Sequence, residues 1–187
     1  MAETDLHRLF FGLWPDPVTR RGLAALARDL NIPGGRVVHP EDLHLTLQFL
    51  GPVPAARLAA VGAAADRVDG SPFELRITHT GHWPRPRIAW CAPGEVPGAL
   101  SVLVRGLGEQ LAAVGYPPED RPYRPHVTLA RKARGAPAGT LAQSIRWPVS
   151  SFVLAESLSV PEPPRYRILR RWPLTAERQA TGGGPQA

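Results

Sequence analysis

Short apolar runs alternate with amphipathic stretches along the first half of the chain. The run RLFFGLW at residues 8–14 has the length and the aromatic bias of a β-strand. Residues 15–31 have helical spacing, with Asp16 and Pro17 at the positions of a helix cap and a first turn. The other predicted elements of this half are strands at residues 35–38 and 43–51 and a second helix at residues 54–70. The first half is therefore predicted to be β-α-β-α.

The second half contains more strand patterns than helical ones. Its predicted elements are strands at residues 73–83 and 87–92, a long amphipathic helix at 96–116, and strands at 126–131, 150–160 and 166–174. Alternating strands and helices ordinarily favour a parallel sheet, but neither a GxGxxG nor a GxxxxGK[ST] phosphate loop occurs in the sequence. Several C-terminal strands also follow one another through short turns, which favours antiparallel pairing. We therefore predict an α+β fold.

Composition narrows the class of protein. A chain of 187 residues that is 43% hydrophobic fits one globular domain. The single cysteine, Cys91, excludes an intramolecular disulfide framework and a multi-cysteine zinc site. No run of eighteen apolar residues occurs, and the acidic start MAETD lacks the basic region of a signal peptide. We expect a cytoplasmic protein without a membrane segment.

The net charge of +6 comes almost entirely from arginine, because Lys132 is the only lysine. The planar guanidinium group can bind two phosphate oxygens at once, and the arginine clusters are spread along the chain instead of forming a basic tail. This distribution favours an anionic ligand bound by a folded surface. For any single cluster, solvated surface charge is an equally good interpretation.

The strongest chemical signal is a repeated four-residue pattern, His-apolar-Thr-apolar. It begins at His44 as HLTL and at His126 as HVTL. Successive side chains of a strand point to opposite faces, so each histidine shares a face with the threonine two residues later, Thr46 or Thr128. Strict alternation places Phe49 on the opposite, apolar face of the first motif strand.

Two such strands facing one cleft would supply two imidazoles and two hydroxyls. In-line displacement at phosphorus needs a base for the nucleophile, an acid for the leaving oxygen and neutral donors for the non-bridging oxygens. A single HxT segment is more often an ordinary strand histidine with a satisfied hydrogen bond. The occurrence of two favours a phosphoester-cleaving site.

The chain resembles the two-histidine phosphoesterases, and most closely their RNA 2',3'-cyclic phosphodiesterase branch, also called 2'-5' RNA ligases. The segments that carry the resemblance are RLFFGLWPD, DLHLTLQFLG, GHWPRPRIAW, RPYRPHVTLAR and RYRILRRWPL. The resemblance implies a bilobal fold with two pseudo-symmetric lobes of antiparallel sheet, helices outside and the active-site cleft between the lobes. It assigns residues 1–176 to one catalytic domain with one HxTx motif per lobe, and we expect a disordered tail at 177–187.

The resemblance also implies the chemistry. A terminal 2',3'-cyclic phosphate would be hydrolysed to a 2'-phosphate without metal or cofactor, with His44 as proton donor and His126 as proton acceptor. Thr46 and Thr128 would donate hydrogen bonds to the phosphate. The expected partners are RNA ending in a cyclic phosphate or small cyclic nucleotides, bound by a monomer, and an RNA 5'-hydroxyl in place of water would give 2'-5' ligation.

The arginine that would contact the phosphate is not fixed by the sequence. Arg131 fits the family pattern after the second motif, but strict alternation places it on the wrong face unless the strand ends or bulges at Ala130. Arg124 has the right parity but is separated from the motif by Pro125. We rank Arg131 first and Arg124 second.

Other aromatic and histidine residues have weaker assignments. Candidates for stacking on a base are Phe49, Trp83 and Tyr123, although strand aromatics more often lie in the core. The histidines without the motif are predicted to be surface or loop residues: His7, His39, His79 and His82.

Two rival functions remain open at this level. A metal-dependent hydrolase could use scattered histidines, but no HxxxH, HExxH or acid-rich ligand cluster occurs in the sequence. A non-catalytic module that binds RNA or nucleotides would also explain the arginines. The presence of both motif histidines favours the enzyme.

Overall fold

The structure is a computed structural model and describes residues 5–175, so the predicted tail at residues 177–187 lies outside the described residues. The strands are β1 (Leu6–Leu13), β2 (Arg36–Val37), β3 (Leu45–Pro54), β4 (Phe73–Trp83), β5 (Ile88–Pro93), β6 (Val127–Arg131), β7 (Gly139–Val149), β8 (Ser151–Ser157) and β9 (Tyr166–Pro173). The helices are α1 (Pro17–Asp29), α2 (Leu58–Ala65) and α3 (Gly98–Ala112), with single 3₁₀ turns at Pro40–Asp42 and Ala55–Arg57.

All nine strands belong to one open sheet. Its order is β7-β4-β5-β6-β3-β1-β8-β9, with β2 paired to β6 beside this path, and each of these pairs is antiparallel. The predicted α+β class with antiparallel pairing is confirmed. The motif strands β3 and β6 are neighbours at the centre of this order, which has four strands on each side, with β2 added to the side of β6.

The two halves of the sheet are not the two halves of the chain. The strands β8 and β9 come from the C-terminal part of the sequence, yet they extend the half that contains β1 and β3. Two helices also pack on strands from the other part of the chain. The N-terminal helix α1 packs on β6 and β7, and α3 packs on β3 and on α2. Each half therefore depends on distant segments of sequence, and the two motif strands are held in one fold.

The core lies between the sheet and the helices. Leu9 and Phe11 of β1 and Leu45 and Leu47 of β3 contribute to it from one half. The other half contributes Leu75, Ile77, Val127, Leu129 and Trp147, and α3 adds Leu100, Leu103, Leu107 and Leu111. Because this apolar set occupies one face of the sheet, the polar members of the motifs are left on the other face.

The predicted elements differ from the observed ones mainly at their ends. Asp16 caps α1 as predicted, with Oδ1 accepting from the backbone N–H of Val18 at 2.8 Å and of Thr19 at 3.1 Å. The helix ends at Asp29 instead of Asn31, which has a left-handed φ of 40°. The strand β7 is absent from the predicted elements, because its first half is largely exposed and its buried alternation is confined to Ile145, Trp147 and Val149, where Pro148 interrupts the strand pattern.

Candidate active site

The two motif strands touch through one residue pair at the centre of the sheet. Leu45 of β3 is paired with Val127 of β6, and both side chains are completely buried. His44 and His126 each stand one residue before their strand. The predicted strands begin at Leu43 and His126. The observed strands begin two residues later in the first motif, at Leu45, and one residue later in the second, at Val127. The buried pair fixes both imidazoles relative to each other.

The pairing also sets the positions of the threonines. In an antiparallel pair, one step back along one strand lies across from one step forward along the other. His44 therefore lies across from Thr128, and His126 lies across from Thr46. The two motifs are related by an approximate twofold axis through the Leu45–Val127 pair, and Thr128 lines a cavity together with His44.

The two histidines make the same local hydrogen bond. Nδ1 of His44 is 2.7 Å from the carbonyl oxygen of Asp42, and Nδ1 of His126 is 2.8 Å from that of Arg124. Because a carbonyl only accepts, each Nδ1 carries the proton and donates it. This leaves Nε2 of each ring as the atom that can take up or deliver a proton.

A β-bulge occurs at the same place in both motif strands. Thr46 pairs with Gly12 and Gln48 with Phe11, so Leu47 has no partner on β1. The second motif repeats this on β5: Thr128 pairs with Trp90 and Ala130 with Ala89, and Leu129 has no partner. Each bulge adds one residue directly after the motif threonine, and both inserted leucines are buried.

The bulges shift the alternation by one position. Phe49 and Arg131, each five residues after a motif histidine, thereby come to the same face as the imidazoles. Phe49 is 40% exposed, lines a cavity with His44 and lies under the Arg8 guanidinium, 4.9 Å from its ring centroid. The prediction that Phe49 shares the apolar face with Leu45 is therefore wrong, because it assumed an unbroken strand.

Arg131 lies beside His44, and Arg124 contacts His126 through its backbone carbonyl. Two cavities, described below, adjoin the His44 ring, and Arg131 lines both of them. Nη2 of Arg131 is 3.4 Å from the hydroxyl of Tyr166. The Arg124 side chain is exposed, and neither it nor His126 lines these two cavities. The backbone carbonyl of Arg124 holds His126 instead. The bulge at Leu129 breaks the alternation of β6 and so brings Arg131 to the face of the imidazoles.

An aromatic group surrounds the imidazole of His44. Trp14 stacks on it at 5.0 Å between ring centroids and 7° between planes, and Phe10 and Tyr166 lie at 4.8 Å. Sequence reasoning did not single out these three residues for the site, since they come from β1, the segment after it and β9. Only the proximity of β1 to β3 in the fold brings them together.

This environment changes the proton affinity of His44. The pKa of His44 is lowered from its ordinary value of 6.5 to about 4. Burial is the main cause, the hydrogen bond to the carbonyl of Asp42 opposes it, and the charges of Arg131 and His126 add to the lowering. Burial, with the charges of Arg121 and Arg131, also lowers the pKa of His126. Both imidazoles are therefore neutral in the free protein at pH 7.

Two cavities adjoin the His44 ring. The basic cavity, of about 380 Å³, is lined by His44, Thr128, Arg131 and Tyr166 together with Arg36, His39, Lys132 and Arg165. The aromatic cavity, of about 310 Å³, is lined by His44, Thr46, Arg131 and Tyr166 together with Arg8, Phe10, Phe49 and Ser157. The two threonines therefore line different cavities, which meet at His44, Arg131 and Tyr166.

The remaining aromatic candidates have other contacts. Trp83 packs edge-on against His126 at 4.6 Å between ring centroids. Tyr123 packs against the core and its hydroxyl donates to the carbonyl of Thr46 at 2.9 Å, which ties the segment before the second motif to the first motif strand. Burial raises the pKa of Tyr123. Tyr123 therefore supports the motif strands and lines neither cavity.

The other histidines are only partly as predicted. His39 is an exposed loop residue, but it lines the basic cavity. His7 lies in β1 and its Nδ1 is 2.7 Å from a carboxylate oxygen of Glu156. His79 and His82 lie in β4, and His82 Nε2 is 3.2 Å from the carbonyl oxygen of Ala133. The exposed His39 and His79 are thus surface residues as predicted, whereas His7 and His82 are half-buried strand residues.

Within residues 5–175, no three His, Cys, Asp or Glu side chains are close enough together to hold a metal ion. The same residues contain no helix that is long and apolar enough to cross a membrane.

The whole chain can be compared with known proteins. The family model described as LigT like Phosphoesterase matches residues 13–90 and 92–164. This chain belongs to that family. The two matched segments contain both HxTx motifs and most of the residues around them, so the predicted two-histidine resemblance is confirmed.

Members of this family with similar sequences carry one name. The RNA 2',3'-cyclic phosphodiesterase of Thermus thermophilus is 35% identical over 193 aligned positions, and the alignment covers 95% of this chain and 96% of the relative. The protein of the same name from Escherichia coli is 34% identical over 177 residues, 92% of this chain and 99% of the relative. The likeness therefore extends over nearly the full length of each protein.

Solved structures of the family confirm the predicted phosphoesterase fold. Escherichia coli LigT complexed with 3'-AMP superposes with a TM-score of 0.84 at 32% identity, covering 92% of this chain and 100% of that one. LigT complexed with ATP superposes with a TM-score of 0.81 and the same coverage, at 31% identity.

The lowered pKa of His44 can be measured directly. Long-range ¹H–¹⁵N spectra of the free protein should show His44 titrating near pH 4, with Nδ1 protonated above that pH. Trp14→Ala should raise the pKa of His44 towards 6.5, because water then reaches the ring and stabilises its charged form.

Trp83→Ala is the matched control for this prediction, because Trp83 packs on His126. It should move the His126 titration more than that of His44. A His44 that titrates at 6.5 in the unaltered protein would contradict the prediction.

Proposed function

We propose that this chain is an RNA 2',3'-cyclic phosphodiesterase that converts a terminal cyclic phosphate into a 2'-phosphate by two-histidine acid–base catalysis. The observation that carries the proposal is the pair of imidazoles beside the Leu45–Val127 pair, each with Nδ1 bonded to a carbonyl and Nε2 left for proton transfer. The names of the Thermus and Escherichia relatives support the same substrate.

Two proton transfers, one on each side of the phosphorus atom, define the roles of His126 and His44. Neutral His126 takes a proton from water at Nε2 while the water oxygen bonds to phosphorus. The bond from phosphorus to the 3'-oxygen breaks, and Nε2 of protonated His44 delivers its proton to that oxygen. Water has then been added across one P–O bond, which leaves a 3'-hydroxyl and a 2'-phosphate.

Neutral donors and one cation stabilise the charge that grows on the phosphate. Thr46 and Thr128 donate from opposite sides of the twofold axis, each into its own cavity. Arg131 lies where the two cavities meet, so its guanidinium can contact the phosphate from either side. Arg124 acts through its backbone carbonyl by orienting His126.

The acid needs a proton that the free enzyme does not hold at neutral pH. His44 has a pKa of about 4, partly because of the Arg131 charge. A bound phosphate anion offsets that charge and favours protonated His44, so the pKa of His44 rises on substrate binding. The imidazolium formed in this way is a strong acid, as protonation of an alkoxide leaving group requires.

The aromatic cavity provides a surface for the terminal base. Phe49 is exposed there and Arg8 lies over its ring, so a base can stack on a platform of an aromatic ring and a guanidinium group. The crystal structures of LigT with 3'-AMP and ATP support a nucleotide ligand.

The proposal has a defined scope. Substrates are RNA with a cyclic phosphate end or small cyclic nucleotides, and an RNA 5'-hydroxyl that replaces water would give a 2'-5' linkage by the same groups. Residues 1–176 act as one catalytic domain, as a monomer in the cytoplasm. A non-catalytic RNA-binding module would not need the two symmetric imidazoles, and a metal-dependent hydrolase would need a ligand set.

The substrate assay is the direct test. An RNA ending in a 2',3'-cyclic phosphate should gain the mass of one water, and its new terminal phosphate should be removed by a general phosphatase but not by one specific for 3'-phosphates. Excess EDTA should leave the rate unchanged. A 3'-phosphate product, or loss of activity on chelation, would contradict the mechanism.

The threonines separate transition-state stabilisation from strand formation. Thr46→Val and Thr128→Val keep the shape of the side chain but remove the donor, so each should lower kcat by roughly 10–10³-fold and change KM less. Thr140→Val, on the exposed edge strand β7, is the matched control and should leave kcat unchanged. Unchanged kcat in both motif variants, with thermal melting normal, would assign these threonines to the strand alone.

A further inference from the structure

The basic cavity contains more positive charge than one phosphate needs. Besides Arg131, it is lined by Arg36 of β2, Lys132 after β6 and Arg165 before β9. These cations come from three separate segments of the chain and converge on one concave surface. Charges of one sign in a cleft attract an anion more strongly than the same charges do on an open surface.

These three cations have no carboxylate partner in the described part of the chain. None of them has a carboxylate oxygen within 4.0 Å, whereas Arg146, Arg167 and Arg170 on outer parts of the sheet are paired. The carboxylate that lines the cavity belongs to Asp42, which is buried and whose Oδ1 accepts from the backbone N–H of Arg165 at 2.8 Å. The Arg165 guanidinium donates from Nη2 to the carbonyl oxygen of Pro161 at 3.0 Å, which is a neutral acceptor. Among the described residues, no carboxylate side chain therefore pairs with these three charges.

The backbone directs the only lysine of the chain into this cavity. Lys132 has a left-handed φ of 60°, which is uncommon for a residue with a side chain. Adjacent residues of a regular strand point to opposite faces, yet Arg131 and Lys132 line the same cavity. The turn at Lys132 removes that alternation. Strained conformations of this kind are found mainly at functional sites.

The cavity lies next to the proposed position of the reacting phosphate. It shares His44, Arg131 and Tyr166 with the aromatic cavity, so one ligand can extend through both. With the terminal base on Phe49 and the cyclic phosphate at His44 and Arg131, the 5'-oxygen is the remaining group of the nucleotide from which the ligand can extend into the basic cavity. In RNA that oxygen carries the next phosphate of the strand.

We propose that Arg36, Lys132 and Arg165 bind the phosphate on the 5' side of the terminal nucleotide. This inference rests on the proposed function. It makes the preferred substrate an oligonucleotide with a cyclic phosphate end, in preference to a nucleoside 2',3'-cyclic phosphate. All three side chains are exposed, so each contributes a modest, salt-sensitive part of the binding.

Three substrates separate the contribution of the cyclic phosphate end from that of the phosphate on its 5' side. The first is a nucleoside 2',3'-cyclic phosphate, the second carries an added 5'-phosphate, and the third is a dinucleotide with the same cyclic end. The dinucleotide should have a kcat/KM at least roughly tenfold higher than the nucleoside, the size of one charge-assisted contact. The 5'-phosphorylated nucleoside should share the gain. The advantage should shrink as salt rises.

Glutamine variants test whether these residues carry the advantage. Arg36→Gln, Lys132→Gln and Arg165→Gln should each lower the dinucleotide-to-nucleoside ratio of kcat/KM, and the triple variant should bring it close to one. Arg21→Gln, an exposed arginine of α1 outside both cavities, is the matched control and should keep the ratio of the unaltered protein. Thermal melting establishes that each variant is folded.

The outcomes distinguish this inference from the proposed function. Hydrolysis of all three substrates at equal kcat/KM, or a ratio that survives in the triple variant, overturns the phosphate subsite and leaves the phosphodiesterase intact. A gain for the 5'-phosphorylated nucleoside without one for the dinucleotide also overturns it, because the ligand would then be a terminal phosphate. Failure of all three substrates overturns the proposed function itself.

Discussion

The contact between Leu45 and Val127 is the constraint on which the site depends. It is the one residue pair through which β3 and β6 are hydrogen-bonded neighbours, and both side chains are fully buried. Because the pairing is antiparallel, this single register decides that each motif histidine faces the threonine of the other motif. A slip of one residue would turn every side chain of one motif to the wrong face and separate the imidazoles from the hydroxyls.

Two repeated irregularities build the site on this regular pairing. The bulges at Leu47 and Leu129 turn Phe49 and Arg131 to the face of the imidazoles, one supplying an aromatic surface and the other a cation. The repeated Nδ1 bonds to the carbonyls of Asp42 and Arg124 aim the rings. The approximate twofold symmetry therefore includes the bulges and the Nδ1 hydrogen bonds as well as the four-residue motifs. The residues that follow the bulges, Phe49 and Arg131, differ in chemistry.

The sequence predicted which motif residues share a face, but not the side chains that surround them. Strand alternation predicts that His44 shares a face with Thr46, and His126 with Thr128. Each pair spans only three residues, and both bulges lie after the threonine. Phe49 was misplaced because the same alternation was extended across Leu47. Trp14 and Tyr166 were missed because they meet His44 only through the pairing of distant strands. The strand β7 was missed because its buried alternation covers only Ile145, Trp147 and Val149 and includes Pro148.

The central claim is that the two imidazoles act in one step on one phosphate, and a double-mutant cycle tests it most directly. His44→Ala and His126→Ala should each lower kcat on a cyclic-phosphate RNA by roughly 10²–10⁴-fold. The double variant should lose far less than the product of the two single losses, because the first substitution already disables the shared step. Losses that multiply, or near-normal turnover in either single variant, would contradict the account.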